Sequence, residues 1–286
     1  VVLYSNDVHC GVSGNFGYAG IATVKDTLEK QGKTVILVDN GDAIQGDTVG
    51  TLSKGEYIID IMNHVGYDVA VPGNHEFDYG MEQFLALAEK AEFPYVSVNF
   101  NKEGEPVFDP YVIIEAEGAK IAFLGICTPK TITTSTPTYF QNEAGEYIYG
   151  FCQGEEGAEL YNAVQASVDA ARAEGADIVI AMAHLGIEYD CTPWTSSEVI
   201  NNTTGIDVVL DGHSHSVIEG DLVKNKDGED VILTSTGTKL ENIGMLTIGT
   251  DGAAKSTLIS NAATVEFVAG VEEQFEALVN EVVAST

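Results

Sequence analysis

Nine short runs of apolar, mostly β-branched residues punctuate this chain, at residues 1–5, 35–39, 69–71, 95–98, 120–126, 177–183, 207–211, 231–235 and 245–248. Five of them end in a small polar cluster. Asn6-Asp7-Val8-His9 follows the first run and Asn40-Gly41-Asp42 the second. Gly73-Asn74-His75-Glu76-Phe77-Asp78 follows the third, His184-Leu185-Gly186 the sixth, and Gly212-His213-Ser214-His215 the seventh. Amphipathic stretches at 21–31, 53–65, 81–90, 156–173 and 196–202 read as helices between the runs. Buried-type strands alternating with helices predict a layered α/β fold with largely parallel strands. The shorter connections late in the chain predict an antiparallel part. In such a sheet the loops after the strands' C-terminal ends gather at one edge, so the five clusters should converge there.

The residue types then narrow the chemistry. Asp, Asn and His offer hard oxygen and imidazole nitrogen without thiolate, a set suited to Mn, Zn, Fe, Co or Mg. Alternate residues of an extended segment share a side, so Asp7 with His9, and His213 with His215, should each approach one site together. Seven candidate ligands, Asp7, His9, Asp42, Asn74, His184, His213 and His215, exceed the needs of one ion and suit two, with a carboxylate bridging. Two divalent ions about 3.5–4 Å apart activate water and clamp the oxygens of an in-line displacement at phosphorus. Each cluster alone is a weak signal, because an isolated Asp-x-His or Gly-Asp is usually structural. Five in succession, each at a strand end, are not explained that way.

Composition sets the outer limits. The 286 residues hold 44 acidic and 13 basic side chains, a formal charge of −31. Such a surface will not bind polynucleotide backbones or anionic membranes. No apolar run reaches the roughly 18–20 residues of a membrane span. Hydrophobic residues at 44% and aromatics at 8% are too abundant for disorder. The length fits one large domain or two small ones. The charge does not exclude a small phosphate ester. Two divalent ions bring +4 against −2 from Asp7 and Asp42, and bound ions override the local side-chain logic. Absence of an initiator Met before a strand-like Val1 leads to the expectation of a trimmed signal peptide. Cys10, Cys127, Cys152 and Cys191 lie far apart with no CxxC spacing, so free or buried thiols are expected, with pairings undetermined. His64, Cys10, Glu76 and Trp194 read as structural: a helix end, a side chain facing away from the metals, a loop brace and a packed loop aromatic. The one arginine, Arg172, reads as solvated on a helix.

The order Asp-x-His, Gly-Asp, Gly-Asn-His-Glu, His, Gly-His-x-His resembles the calcineurin-like metallophosphoesterase superfamily. Asn74-His75-Glu76-Phe77-Asp78 and Asp211-Gly212-His213-Ser214-His215 are similar, more narrowly, to the 5'-nucleotidase family of secreted and periplasmic enzymes. The resemblance implies a four-layer α/β/β/α sandwich. It also implies one ion at Asp7, His9 and Asp42 with His215 near it, and a second at Asn74, His184 and His213, bridged by Asp42. His75 would contact the phosphate, oriented by Asp78. The implied function is a two-metal phosphate-ester hydrolase, a 5'-nucleotidase releasing phosphate from nucleoside monophosphates in nucleotide catabolism. A 2',3'-cyclic nucleotide phosphodiesterase, a UDP-sugar hydrolase and a general phosphomonoesterase use the same centre. A metal-bearing surface domain without catalysis is the non-enzyme alternative. The family's C-terminal domain carries substrate-binding arginines and aromatics. Residues 1–268 are therefore expected to be the catalytic domain. Residues 269–286, with an amphipathic stretch at 271–284, are expected to be a helix leading to that further domain. The expected location is extracellular, cell-surface or periplasmic.

Overall fold

The computed structural model describes residues 1–260. The expected closing helix and the boundary at 268 lie outside the described residues. The strands are β1 (Val2–Ser5), β2 (Ile36–Asp39), β3 (Val69–Ala70), β4 (Asn101–Lys102), β5 (Glu105–Pro106), β6 (Tyr111–Ala116), β7 (Ala119–Cys127), β8 (Tyr149–Gly150), β9 (Ile178–His184), β10 (Val208–Leu210), β11 (Val217–Lys224), β12 (Asp230–Thr236), β13 (Ile243–Ile248) and β14 (Ala254–Ile259). The helices are α1 (Gly17–Lys30), α2 (Thr48–Ser53), α3 (Glu56–Val65), α4 (Met81–Lys90), α5 (Thr131–Thr134), α6 (Ala158–Ala173) and α7 (Ser196–Asn202). One sheet runs β14-β13-β1-β2-β3 and a second runs β11-β12-β10-β9-β7-β6. β1, β2 and β3 are mutually parallel, as are β7, β9, β10 and β12. The flanking pairs β1–β13, β13–β14, β11–β12 and β6–β7 are antiparallel.

Alternation along the strands assembles the layers. Val2, Tyr4, Ile36 and Val38 of the first sheet pack with Phe123, Ile180, Met182, Val208 and Leu210 of the second. Their neighbours Leu3 and Leu37 face the other way, onto Ile21, Ile58, Ile61 and Phe84 of α1, α3 and α4. Ala122, Leu124, Val179 and Val209 turn outward onto Leu160, Val164 and Val168 of α6. The result is the expected α/β/β/α sandwich. Strands covered on both faces need apolar residues at every position, which is why they read as continuous runs. Each fully buried Val, Leu or Ile contributes about 1.5–3 kcal/mol. Tyr4 carries a hydroxyl into the middle layer, where it meets Thr234 Oγ1 at 2.6 Å and Ser256 Oγ at 2.9 Å.

The structure corrects three expectations. Residues 95–98 form no ladder: a single bridge joins Tyr95 to Ala70, and Val98 N–H donates to the Gly125 carbonyl. The stretch 53–65 is not one helix, because Lys54 and Gly55 adopt φ of 49° and 87°, ending α2 and starting α3. Arg172 is not simply solvated. It donates to the carbonyls of Ala176, Asp177 and Gly205 and pairs with Asp207 at 2.6 Å. β6, β11 and β14 were not anticipated; all three are edge strands, partly exposed and without a fully buried face.

Candidate metal centre

The polar clusters converge where the parallel strands end. Side-chain atoms of Asp7, His9 and His215 lie within 4.8 Å of one another, and so do those of Asp42, His184 and His213. The two groups touch. Asp42 Oδ2 is 3.0 Å from His184 Nε2 and 3.9 Å from His9 Nε2, while Asp7 Oδ1 is 3.5 Å from His215 Nε2 and 3.9 Å from His184 Nε2. His75 stands beside the first group, its ring 5.4 Å from that of His9. Asn74 lies next to it, with a buried Oδ1 that has no hydrogen-bond partner.

Convergence arises differently from the sequence expectation. Asp7-x-His9 and His213-x-His215 are not extended. Asp7, His9, Asp42, His213 and His215 all have positive φ, between 46° and 77°. Such conformations cost non-glycine residues about 1–3 kcal/mol each and persist only where surrounding structure enforces them. The enforcement is visible as a set of cross-links. Glu76, buried, accepts from the backbone N–H groups of Asp42, Ala43 and Gly73 at 2.6–2.8 Å, tying the β2 and β3 loops together. Asp42 Oδ1 accepts from His75 N–H at 2.8 Å. Asp211 accepts from Leu185 and Gly186 N–H and from Ser196 Oγ, joining the β9 and β10 loops. Asn6 holds Asp7 Oδ2 at 2.7 Å and the start of the loop after β12 through Thr236 and Gly237. Asp7 itself accepts from His213 N–H, and the Asn40 carbonyl receives His184 Nδ1 at 2.7 Å, so both bonds span the two sheets. Three glycines frame the His184 ring: a Cβ at Gly41, Gly73 or Gly212 would come within 2.9 Å of it.

These contacts test whether divalent cations fit. Bonding to a carbonyl requires His184 Nδ1 to carry the proton, so in the neutral ring Nε2 is a lone pair aimed at two carboxylates. It is fully buried and makes no hydrogen bond. His9 repeats the arrangement: Nδ1 meets the Gln45 carbonyl at 3.1 Å, and Nε2 faces His215 Nε2 at 3.0 Å. Among the described residues, only histidines pair with Asp7 and Asp42. Burial drives the Asp7 carboxyl up to about 7 against the pull of His184. Burial opposes charge on His184 too, yet Asp42 and Asp7 lift it to about 10. Burial, aided by the charge on His184, takes His213 down to about 3 and leaves it a neutral donor. Imidazole nitrogens and carboxylates converging with no Lys or Arg paired to them among the described residues form a site that metal ions fit, an ion taking the place of the proton that Asp42 and Asp7 draw onto His184.

His75 is built for another task. Its Nδ1 is 2.7 Å from Asp78 Oδ2, and Ser135 Oγ donates to Asp78 Oδ1 at 3.2 Å. Burial disfavours its charge, but the Asp78 hydrogen bond and the Asp42 charge outweigh that and raise it to about 9. His64, in the last turn of α3, belongs to neither metal-type group. Trp194 is tucked against the β9–α6 core with Nε1 donating to the Gly154 carbonyl, and all four cysteines are free. Sequence reading took Glu76 for a loop brace without seeing that it joins two loops, and passed over Asn6, Asp211 and Ser135. Asn6 stands inside a recognised cluster and Asp211 directly before one, which was the available signal.

The family model described as calcineurin-like phosphoesterase matches residues 1–217. The chain is 29% identical over 240 residues to a 2',3'-cyclic-nucleotide 2'-phosphodiesterase/3'-nucleotidase of Haemophilus influenzae, covering 76% of this chain and 35% of that protein. It is 30% identical over 239 residues to a 5'-nucleotidase of Diplobatis ommata, covering 76% and 37%. The chain thus spans little more than a third of these relatives. In fold it resembles the crystal structure of a 5'-nucleotidase precursor from Thermus thermophilus, with a TM-score of 0.81 at 22% identity, over 99% of this chain and 59% of that one.

Proposed function

Because the chain belongs to the calcineurin-like phosphoesterase family, we propose that it is the catalytic domain of a two-metal phosphate-ester hydrolase acting on nucleotides, a 5'-nucleotidase. The observation that carries this reading is the pair of touching ligand groups with Asp42 Oδ2 between His184 and His9. Asp7, His9 and His215 would hold one ion, and Asn74, His184 and His213 the other, with Asp42 shared. Two ions held there act as Lewis acids and lower the pKa of water from 15.7 toward about 7. The protein's own residues supply the rest. Asp78 accepts from His75 Nδ1, which fixes the ring and leaves Nε2 to carry the second proton of the imidazolium. That proton stabilises the departing ester oxygen, a contribution typically worth about 10²–10³ in rate. The cross-links through Glu76, Asp211 and Asn6 keep the donors in place as charge develops.

Two variants test the reading. Asp42→Asn should lose bound metal and activity together, measured by elemental analysis and phosphate release. His75→Ala should keep both ions and lose most turnover. Near wild-type turnover by His75→Ala on AMP would overturn the dyad.

A second reading, 2',3'-cyclic nucleotide phosphodiesterase, is favoured by the nearly equal identity to a relative of that name. UDP-sugar hydrolysis uses the same centre. We place the choice among them in a substrate-binding domain following residue 268, reached through 269–286. AMP, 2',3'-cyclic AMP and UDP-glucose compared on the full-length protein discriminate the three. The location outside the cytoplasm rests on the same likeness to secreted nucleotidases, and fractionation of the source cells tests it. Among the described residues no helix is long and apolar enough to cross a membrane.

A further inference from the structure

The turn that carries His75 and Asp78 is gripped by a distant segment, residues 128–140 after β7. β7 ends at Cys127, level with His184 on the neighbouring strand, so this segment leaves the same sheet edge as the ligand-bearing loops. Four residues of α5 are too few to hold a helix unaided, and threonine hydroxyls stiffen it. Thr131 is fully buried, its Oγ1 donating to the Thr128 carbonyl at 2.7 Å. The Lys130 carbonyl accepts from the backbone N–H groups of Thr133 and Thr134 at 2.8 Å and from their hydroxyls at 3.0 Å. Ser135 N–H closes the turn on the Thr131 carbonyl at 3.1 Å. The segment then meets the dyad twice. Phe140, fully buried, packs edge-on against Phe77, ring centres 5.4 Å apart, and Phe77 directly precedes Asp78 in the chain. Ser135 Oγ donates to Asp78 Oδ1 at 3.2 Å.

Asp78 thus has one partner for each oxygen among the described residues, Ser135 on Oδ1 and His75 Nδ1 on Oδ2 at 2.7 Å. The terminal torsion of an aspartate is broad, so the bond to His75 alone leaves the carboxylate plane, and with it the ring, free to swing. A second bond fixes the plane. Solvation does not require it: the Asp78 side chain is 24% exposed, and water could satisfy Oδ1. A hydroxyl held by a braced segment offers what water cannot, a fixed direction. Resting on the hydrolase reading above, we propose that Ser135 is a positioning residue of this site, acting through Asp78 to keep the His75 ring in one orientation during the reaction.

The test uses the full-length protein loaded with zinc. With AMP, Ser135→Ala should lose about tenfold in kcat, the scale of one hydrogen bond to a charged group, with KM and bound metal unchanged. Ser135→Thr should recover the loss, because Ser135 has an extended backbone (φ −99°, ψ −165°) that a β-branched residue adopts readily. In an Asp78→Asn background Ser135→Ala should cost little more, since the two residues act in series. The proton resonance of His75 Nδ1–H gives a readout apart from activity: sharp in the wild type and in Ser135→Thr, broadened or lost in Ser135→Ala. Unchanged kcat in Ser135→Ala overturns the proposal. So does a loss that follows metal content or Tm, that Thr fails to restore, or that adds in full to that of Asp78→Asn. A wild-type protein whose resonance depends on Ser135 yet which hydrolyses no phosphate ester would sustain the positioning of His75 and overturn the hydrolase reading alone.

Discussion

β9 and β10 begin and end in two different chemical settings. Where they begin, charge lies at the surface and is matched in kind. Arg172 joins Asp207, Asp207 also accepts Val179 N–H, and Asp177 accepts Lys120 N–H, all partly open to water. Where the same strands end, Asp7, Asp42, Glu76 and Asp211 are buried, and the described residues offer them histidines, hydroxyls and amides but no Lys or Arg. Five of the seven candidate ligands there sit at positive φ. One end is organised for stability at little cost. The other holds backbone strain and buried carboxylates whose charge a bound cation would offset, which is the expected signature of a functional edge.

The largest expected effect of this difference is metal dependence of stability. Ions at 1,000 times their Kd contribute about 4 kcal/mol per site. Chelation should therefore lower Tm by roughly 10 °C or more, measured by calorimetry with and without EDTA. No change in Tm would break the comparison. Next comes Glu76→Ala, which strands the backbone N–H groups of Asp42, Ala43, Ile44 and Gly73 in the interior. It should cost about 3 kcal/mol and weaken metal binding about 10–100-fold, read from denaturant melts and metal titration. Third, in the metal-free protein the imidazolium of His75 should persist to about pH 9 by NMR. Asp78→Asn removes the carboxylate that favours the charged ring, so titration should move down toward about 6.5. The smallest effect belongs to the opposite end: Arg172→Ala should cost about 1 kcal/mol or less and leave metal affinity unchanged. A large loss of metal binding there would show that the two ends are coupled.

Legibility in the sequence followed burial. Central strands covered on both faces announce themselves as apolar runs, so β1, β2, β7, β9, β10, β12 and β13 were found. Edge strands β6, β11 and β14 carry mixed faces and were missed. Among site residues, the ligand-type side chains were readable because Asp, His and Asn cluster directly after those runs. The braces were less so. Nothing in the local sequence marks Ser135 as the partner of Asp78, 57 positions away.

By itself the sequence determined the layered α/β class, the edge at which chemistry gathers, and the oxygen-and-imidazole donor set, because those depend on residue type and on periodicity along the chain. Only the tertiary structure decided which donors pair. It set His184 against Asp42 and His215 against His9, and it turned Asp7 and His213 toward each other across two sheets. These pairings depend on left-handed backbone turns and on hydrogen bonds between residues up to about two hundred positions apart, and neither leaves a periodic trace in the chain.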